Sequence, residues 1–224
     1  MKIFKSLRLW IDPIRRPGPE SMAVDEWLLE TAEEPVMRVY GWEGAWASVG
    51  YLGGIDGARW VFPEVQLVRR WTGGGMVDHR GDWTYTVVAP RDEPLANWRG
   101  AESYRRIHAA LAETLMGEGI VARLSAGNEE TGAALCFENP VGHDLLGSDD
   151  RKLAGAGQRR SRQGLLHQGS VAAPCGDVVA SEKRAEDLAG RMAVIWEREM
   201  FEPDASDLAQ RTARYRSREW TDRR

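Results

Sequence analysis

The groups best suited to chemistry crowd into one stretch, Arg69-Arg70-Trp71-Thr72-Gly73-Gly74-Gly75-Met76-Val77-Asp78-His79. Three consecutive glycines can adopt positive φ and let another molecule approach the backbone closely. Successive N–H groups in such a turn form a concavity for an anion or a polarised oxygen. Arg69 and Arg70 bring forked donors to one side of it, and His79 brings a titratable ring to the other. The plain alternative is a tight loop with solvated charges, and the flanking arginines and histidine weigh against it. Asp78 sets a carboxylate in the same stretch. Taken out of water it needs a partner, and Arg69 or Arg70 is the expected one. Only two cysteines occur, Cys136 and Cys175. They make neither a disulfide framework nor a metal site, so no metal is expected.

The elements that must position this loop follow from hydrophobic period. Leu7 to Ile11 reads as an opening strand. Ser21 can cap a helix that runs to about Ala32 with Met22, Val24, Leu28 and Leu29 on its apolar side. Asp25 and Glu26 fall in its first turns, where the helix dipole favours anions. Val36–Tyr40, Trp46–Tyr51 and Val65–Val68 read as strands, with a short helix before Pro63. Trp83–Val88 alternates and is β-branched, so it is a strand, and a hairpin across the glycine loop is expected to join it to Val65–Val68. Tyr104, Ile107, Leu111 and Leu115 mark a helix over Ala101 to Glu118, ended by Gly117 and Gly119. A short strand follows over Ile120 to Leu124. His143–Leu146 and Lys152–Gly155 flank a polar turn, a strand-turn-strand pattern. From Asp177 the chain reads as helical and heavily charged. The expected organisation is a catalytic domain over 1–176 and a charged helical extension over 177–224 packed on it.

Composition bounds the function classes. The net charge is −4, so there is no global case for nucleic acid or an anionic membrane. Lys2, Lys5 and Arg8 interrupt the first residues, so no signal peptide is read there, and no apolar run is long enough to span a bilayer. With two cysteines in 224 residues, a soluble protein of the reducing cytoplasm is the economical reading.

Several segments together resemble the lipoate/octanoate protein attachment family of the biotin/lipoate protein ligase superfamily. The Arg69–His79 stretch looks like that family's lipoate-binding loop. Ser21-Met22-Ala23-Val24-Asp25-Glu26 resembles its opening helix, and Val39-Tyr40-Gly41-Trp42 and Ser48-Val49-Gly50-Tyr51 the strands after it. Lys152-Leu153-Ala154-Gly155-Ala156-Gly157-Gln158-Arg159-Arg160 resembles its central lysine segment, and His167-Gln168-Gly169-Ser170 the next strand. The coverage runs from about residue 7 to 174 in the family's order. The resemblance implies a mixed α/β fold with a largely antiparallel sheet flanked by helices. It also implies an acyl tunnel beside the glycine loop, with Lys152 at the acyl carbonyl.

The family holds two chemistries. Ligases activate lipoate with ATP and Mg²⁺ and pass it to a lysine of a lipoyl domain. Transferases take octanoate from acyl carrier protein onto a cysteine, without a nucleotide, and pass it to the same kind of lysine. Ala134-Leu135-Cys136-Phe137-Glu138-Asn139-Pro140 resembles the segment that carries the nucleophile in the cysteine-dependent octanoyltransferase branch of Gram-positive type. Asp82-Trp83-Thr84-Tyr85-Thr86-Val87 is also nearer that branch, and the chain leaves no room after 176 for the ligases' accessory domain. Gly75 departs from it, since the branch often has arginine there. The resemblance therefore implies an octanoyl transferase with Cys136 and Lys152 as catalytic residues. Arg69, Arg70, Thr72, Gly73, Gly74, Gly75, His79 and Gly155 would bind substrate. The acceptor would be the lipoyl domain of a glycine cleavage H protein or a dehydrogenase E2. Arg159, Arg160 and Arg162 would dock these acidic carrier domains. An ATP-dependent ligase is the main alternative, and a non-catalytic acyl or carrier-domain binding protein the second.

Overall fold

The computed structural model describes residues 2–127, 131–132, 138–173 and 175–223. In chain order, β1 (Phe4–Ile11) leads into α1 (Gly18–Thr31), β2 (Val36–Tyr40), β3 (Trp46–Val49) and α2 (Ile55–Val61). β4 (Gln66–Arg69), β5 (Val77–Asp78) and β6 (Trp83–Pro90) surround the glycine loop. Then come α3 (Pro94–Asn97), α4 (Gly100–Gly117), β7 (Arg123–Leu124) and β8 (Leu145–Leu146). β9 (Lys152–Arg160) and β10 (Gly164–Val171) form a hairpin, followed by α5 (Val178–Met192), β11 (Ala193–Arg198), α6 (Ala205–Arg216) and α7 (Arg218–Thr221).

An eight-stranded sheet has the order β11-β1-β2-β6-β10-β9-β8-β7, and a small sheet the order β4-β3-β5. In the large sheet β1 lies parallel to both β11 and β2, and the other pairings are antiparallel. This is the mixed α/β architecture that the resemblance implies. Alternation along the strands sorts side chains to two faces. Tyr85, Val87 and Ala89 of β6 enter a core with Ile107, Leu111 and Leu115 of α4 and Leu188 of α5. Val88 of the same strand packs with Val24 and Leu28 of α1 on the opposite face. Thr84 and Thr86 share that α1 face, and it carries the site. Among the described residues no helix is long and apolar enough to cross a membrane.

Three expectations need correction. Val65–Val68 and Trp83–Val88 do not form a hairpin across the glycine loop. β4 instead lies parallel to β3, while β6 sits between β2 and β10 in the large sheet. The glycine loop therefore bridges two sheets. The first helix starts a turn before Ser21, at Gly18, because Pro19 fits a first turn whose N–H groups lack intrahelical partners. Ser21 is fully buried inside it. The segment after Asp177 is not helical throughout: β11 adds a parallel strand at β1's free edge. Its β-branched Val194 and Ile195 suit that role.

Candidate active site

The glycine loop is wedged between the end of β3 and the middle of β9. A Cβ on Gly50 would collide with the Gly74 carbonyl, and one on Gly157 with the Gly73 carbonyl and the Thr72 hydroxyl. Neither position tolerates a side chain while the loop stays there. Gly74 itself takes φ +97°. Beside the loop lies a narrow cleft lined by Met22, Trp42, Val77 and the Gly155–Gly157 strand, with Arg70, His79, Ser48 and Gln168 among its polar groups. A mostly apolar wall with a few convergent polar groups is the usual form of a small-molecule site.

Two hydrogen-bonded chains hold the loop. In the first, Arg70 Nη2 donates to the carbonyls of Gly73 and Gly75, at 3.0 Å each. Its Nη1 donates to Ser48 Oγ at 2.7 Å. Ser48 Oγ lies 2.6 Å from His79 Nε2, and His79 Nδ1 lies 2.7 Å from Asp82 Oδ2. Asp82 also accepts from the hydroxyls of Ser170 and Thr84. The Trp42 ring stacks on His79 with centroids 4.0 Å apart. In the second chain, Thr72 donates to Gln168 Oε1 at 2.7 Å, and Gln168 Nε2 donates to Asp25 Oδ2 at 2.7 Å. Asp25 is wholly buried and is held by Arg38, Thr86 and Tyr40. Burial pushes the Tyr40 phenol well above its usual range, so it stays protonated and donates.

Lys152, at the start of β9, lies next to Gly155, one of the residues that line the cleft. Its ammonium lies over Gly155, in space that a side chain there would occupy. It pairs with Asp144 at 2.6 Å, both side chains being buried. Asp144 also accepts from Tyr104, at 2.5 Å, and from the Val141 N–H. Behind them His108 and His167 are wholly buried. Burial lowers His108 to about 4 and takes His167 well below the ordinary histidine range, so both rings are neutral.

The structure thus brings Arg70, Thr72, Gly73, Gly74, Gly75, His79, Gly155 and Lys152 into one region. Arg69 stands apart from the cleft lining. It donates to the carbonyls of Gly50, Tyr51 and Gly53, and to those of Thr221 and Arg223 at the C-terminal segment. Asp78 does not pair with Arg69 or Arg70 as expected. Arg80, two residues on, binds it at 2.6 Å and holds its carboxyl below the usual carboxylate range. Cys136, the expected nucleophile, lies outside the described residues. Cys175 is half-buried, and burial pushes its thiol up. Arg159 stacks on Trp71 and Tyr51, Arg160 binds Ser103 and the Trp98 carbonyl, and Arg162 is exposed in the β9–β10 turn.

Sequence reasoning passed over Ser48, Asp82, Gln168 and Asp144, and gave Asp25 a role at a helix end. The first four were legible only as polar residues inside strand or loop segments, a weak signal without the register. The sequence profile of the lipoyl protein ligase A/B catalytic domain matches residues 17–175, and the chain belongs to that family. It is 33% identical over 171 residues to octanoyltransferase LipM of Carboxydothermus hydrogenoformans, an alignment covering 72% of this chain and 63% of that one. It is also 33% identical over 176 residues to the protein of the same name from Symbiobacterium thermophilum, with the same coverages of 72% and 63%. The chain therefore spans less than two thirds of the length of these relatives. A crystal structure of lipoate-protein ligase A bound with ATP superposes with a TM-score of 0.73 at 18% identity, covering 99% of both chains, which shows the fold.

Proposed function

We propose that this protein is an octanoyl or lipoyl transferase that moves a medium-chain acyl group from a carrier-protein thioester to a lysine of a lipoyl domain. The observation that carries this reading is the 33% identity to octanoyltransferases across 72% of the chain. The cleft is consistent with it, because its largely apolar lining carries Arg70, which binds the glycine loop, and Lys152 lies next to the lining residue Gly155. The acyl chain lies along Met22, Trp42 and Val77. The acyl oxygen faces the cationic end, where preorganised donors stabilise the charge that develops on it. The Cys136 thiolate attacks the thioester carbonyl, and the donor's thiol leaves with a proton. The acceptor lysine amine then attacks the new thioester, forming the amide and releasing the Cys136 thiol. The covalent intermediate lets the enzyme meet its two protein partners in turn.

No nucleotide enters this scheme, because the donor thioester is already activated. The donor is acyl carrier protein, and the acceptor is the lipoyl domain of a glycine cleavage H protein or a dehydrogenase E2. Arg162 is the most available docking cation of the three named, since Arg159 and Arg160 are engaged on the protein itself. The test is intact-protein mass after incubation with octanoyl-acyl carrier protein, without ATP, followed by addition of a lipoyl domain. The expected result is an acyl-enzyme that Cys136→Ala abolishes and Cys175→Ala spares, with the label passing to the acceptor. Modification of the acceptor by Cys136→Ala supplied with free lipoate and ATP would instead establish a ligase. Binding of the acyl group without turnover would establish a non-catalytic carrier.

A further inference from the structure

Ser48, Asp82 and Arg70 come together through His79 in an arrangement that, for a neutral imidazole, has one consistent direction of hydrogen bonding. A carboxylate can only accept, so Asp82 takes the His79 Nδ1 proton at 2.7 Å. That leaves the Nε2 lone pair to accept the Ser48 hydroxyl at 2.6 Å. Ser48 then has its oxygen lone pairs for Arg70 Nη1, at 2.7 Å. Arg70 delivers its second nitrogen to the Gly73 and Gly75 carbonyls. Thr84 obeys the same polarity, accepting from Trp42 Nε1 at 2.9 Å while donating to Asp82. Turning the neutral ring to its Nε2–H tautomer would set the Nδ1 lone pair against the Asp82 carboxylate and strand a buried acceptor, at the cost of that group's desolvation.

We propose that Asp82 and Ser48 are positioning residues for acyl transfer: by fixing the Nδ1–H tautomer of His79 they orient Arg70, and Arg70 sets the glycine loop at the polar end of the cleft. The kinetic part of this proposal rests on the transferase reading above; the tautomer does not. In a trans peptide the carbonyl and the following N–H point in opposite directions. Holding the Gly73 and Gly75 carbonyls on Arg70 therefore turns the N–H groups of Gly74 and Met76 away from it. The relay thus decides both where the cation sits and which loop amides are presented. The stacked Trp42 ring fixes the plane of His79 and keeps both nitrogens aimed along the line.

The same three residue types form hydrolytic triads, in which the serine is the nucleophile. Here Ser48 is wholly buried and its oxygen already accepts from a guanidinium. Both features favour positioning over attack. The full-length chain labelled with ¹⁵N-histidine tests the relay without any assay of activity. The His79 resonances, assigned by their loss in His79→Gln, should show the Nδ1–H tautomer in the wild type. That preference should be lost in Asp82→Ala and kept in Asp82→Glu. An Nε2–H tautomer in the wild type overturns the relay whether or not the protein transfers acyl groups.

In acylation by octanoyl-acyl carrier protein, Asp82→Ala and Ser48→Ala should each lower kcat about 10- to 100-fold with KM little changed, the range expected for a small misplacement at the reacting centre. Ser48→Thr, which keeps the hydroxyl, should recover most of it. The double variant should be no slower than the slower single, because both break one chain. Losses that multiply would mean independent structural roles and overturn the proposal. An octanoyl ester found on Ser48 would overturn it in favour of a nucleophile. A wild-type protein with no transfer would refute the function while leaving the tautomer result to decide the relay.

Discussion

Replacing Lys152 by methionine will destabilise the protein as well as impair transfer, and the size of the first effect follows from its surroundings. The Lys152 ammonium and Asp144 carboxylate lie 2.6 Å apart, with side chains only 2% and 0% exposed. Removing one member of a buried pair strands the other charge, at a cost of about 3–5 kcal/mol. Asp144 keeps the Tyr104 hydroxyl and the Val141 N–H, so the lower end, about 3 kcal/mol, applies. Methionine nearly fills the lysine's volume, so little cavity term is added. With a urea m-value of about 2–3 kcal/mol/M, the unfolding midpoint should fall by about 1–1.5 M. Adding Asp144→Asn removes the stranded charge and should restore about 1–2 kcal/mol, although each change alone is harmful. Urea unfolding followed by tryptophan fluorescence reads both effects. A Lys152→Met midpoint within about 0.3 M of wild type, or a double variant weaker than the single, would refute the reasoning. Activity lost on changing Lys152 then has to be compared at a urea-free temperature where both proteins are folded.

Two further outcomes are expected. His108 titrates at about 4 in the folded protein because burial opposes its charge, against 6.5 for the free group. The unfolded chain thus binds a proton between those values that the native state refuses, and stability falls as pH drops through that window. The loss approaches about 3 kcal/mol at its acid end. Urea midpoints at several pH values should show this slope, and His108→Gln should reduce it, leaving the share of the likewise buried His167; an unchanged slope would remove His108 as a cause. Arg69→Met should loosen the C-terminal segment, since the Arg69 guanidinium holds the Thr221 and Arg223 carbonyls. Faster tryptic cleavage at Arg216 or Arg218, with the rest of the chain still resistant, is the expected result, and a wild-type digestion rate would contradict it.

Much of the scaffold could be read from local pattern. The period of Ile107, Leu111 and Leu115 placed a helix, and the alternation through Trp83–Val88 placed a strand, because burial of one face imposes its own spacing on the residues. The glycine run announced a close backbone approach, and it occurs against Gly50 and Gly157. What escaped was the pairing of polar groups distant in sequence. Asp25 looks like a first-turn anion until α1 is laid on the sheet, where its carboxylate meets Arg38, Thr86 and Gln168. His79 stands out in the sequence, but its partners Ser48 and Asp82 do not until β3 is set between β4 and β5. β11 was hidden because an edge strand needs only a free neighbour, here β1, and that neighbour lies at the other end of the chain. Hydrophobic period decides which face of an element turns inward, and each segment carries that information itself. Which hydroxyl meets which ring nitrogen depends on strand order and register, and those exist only once the whole chain has packed.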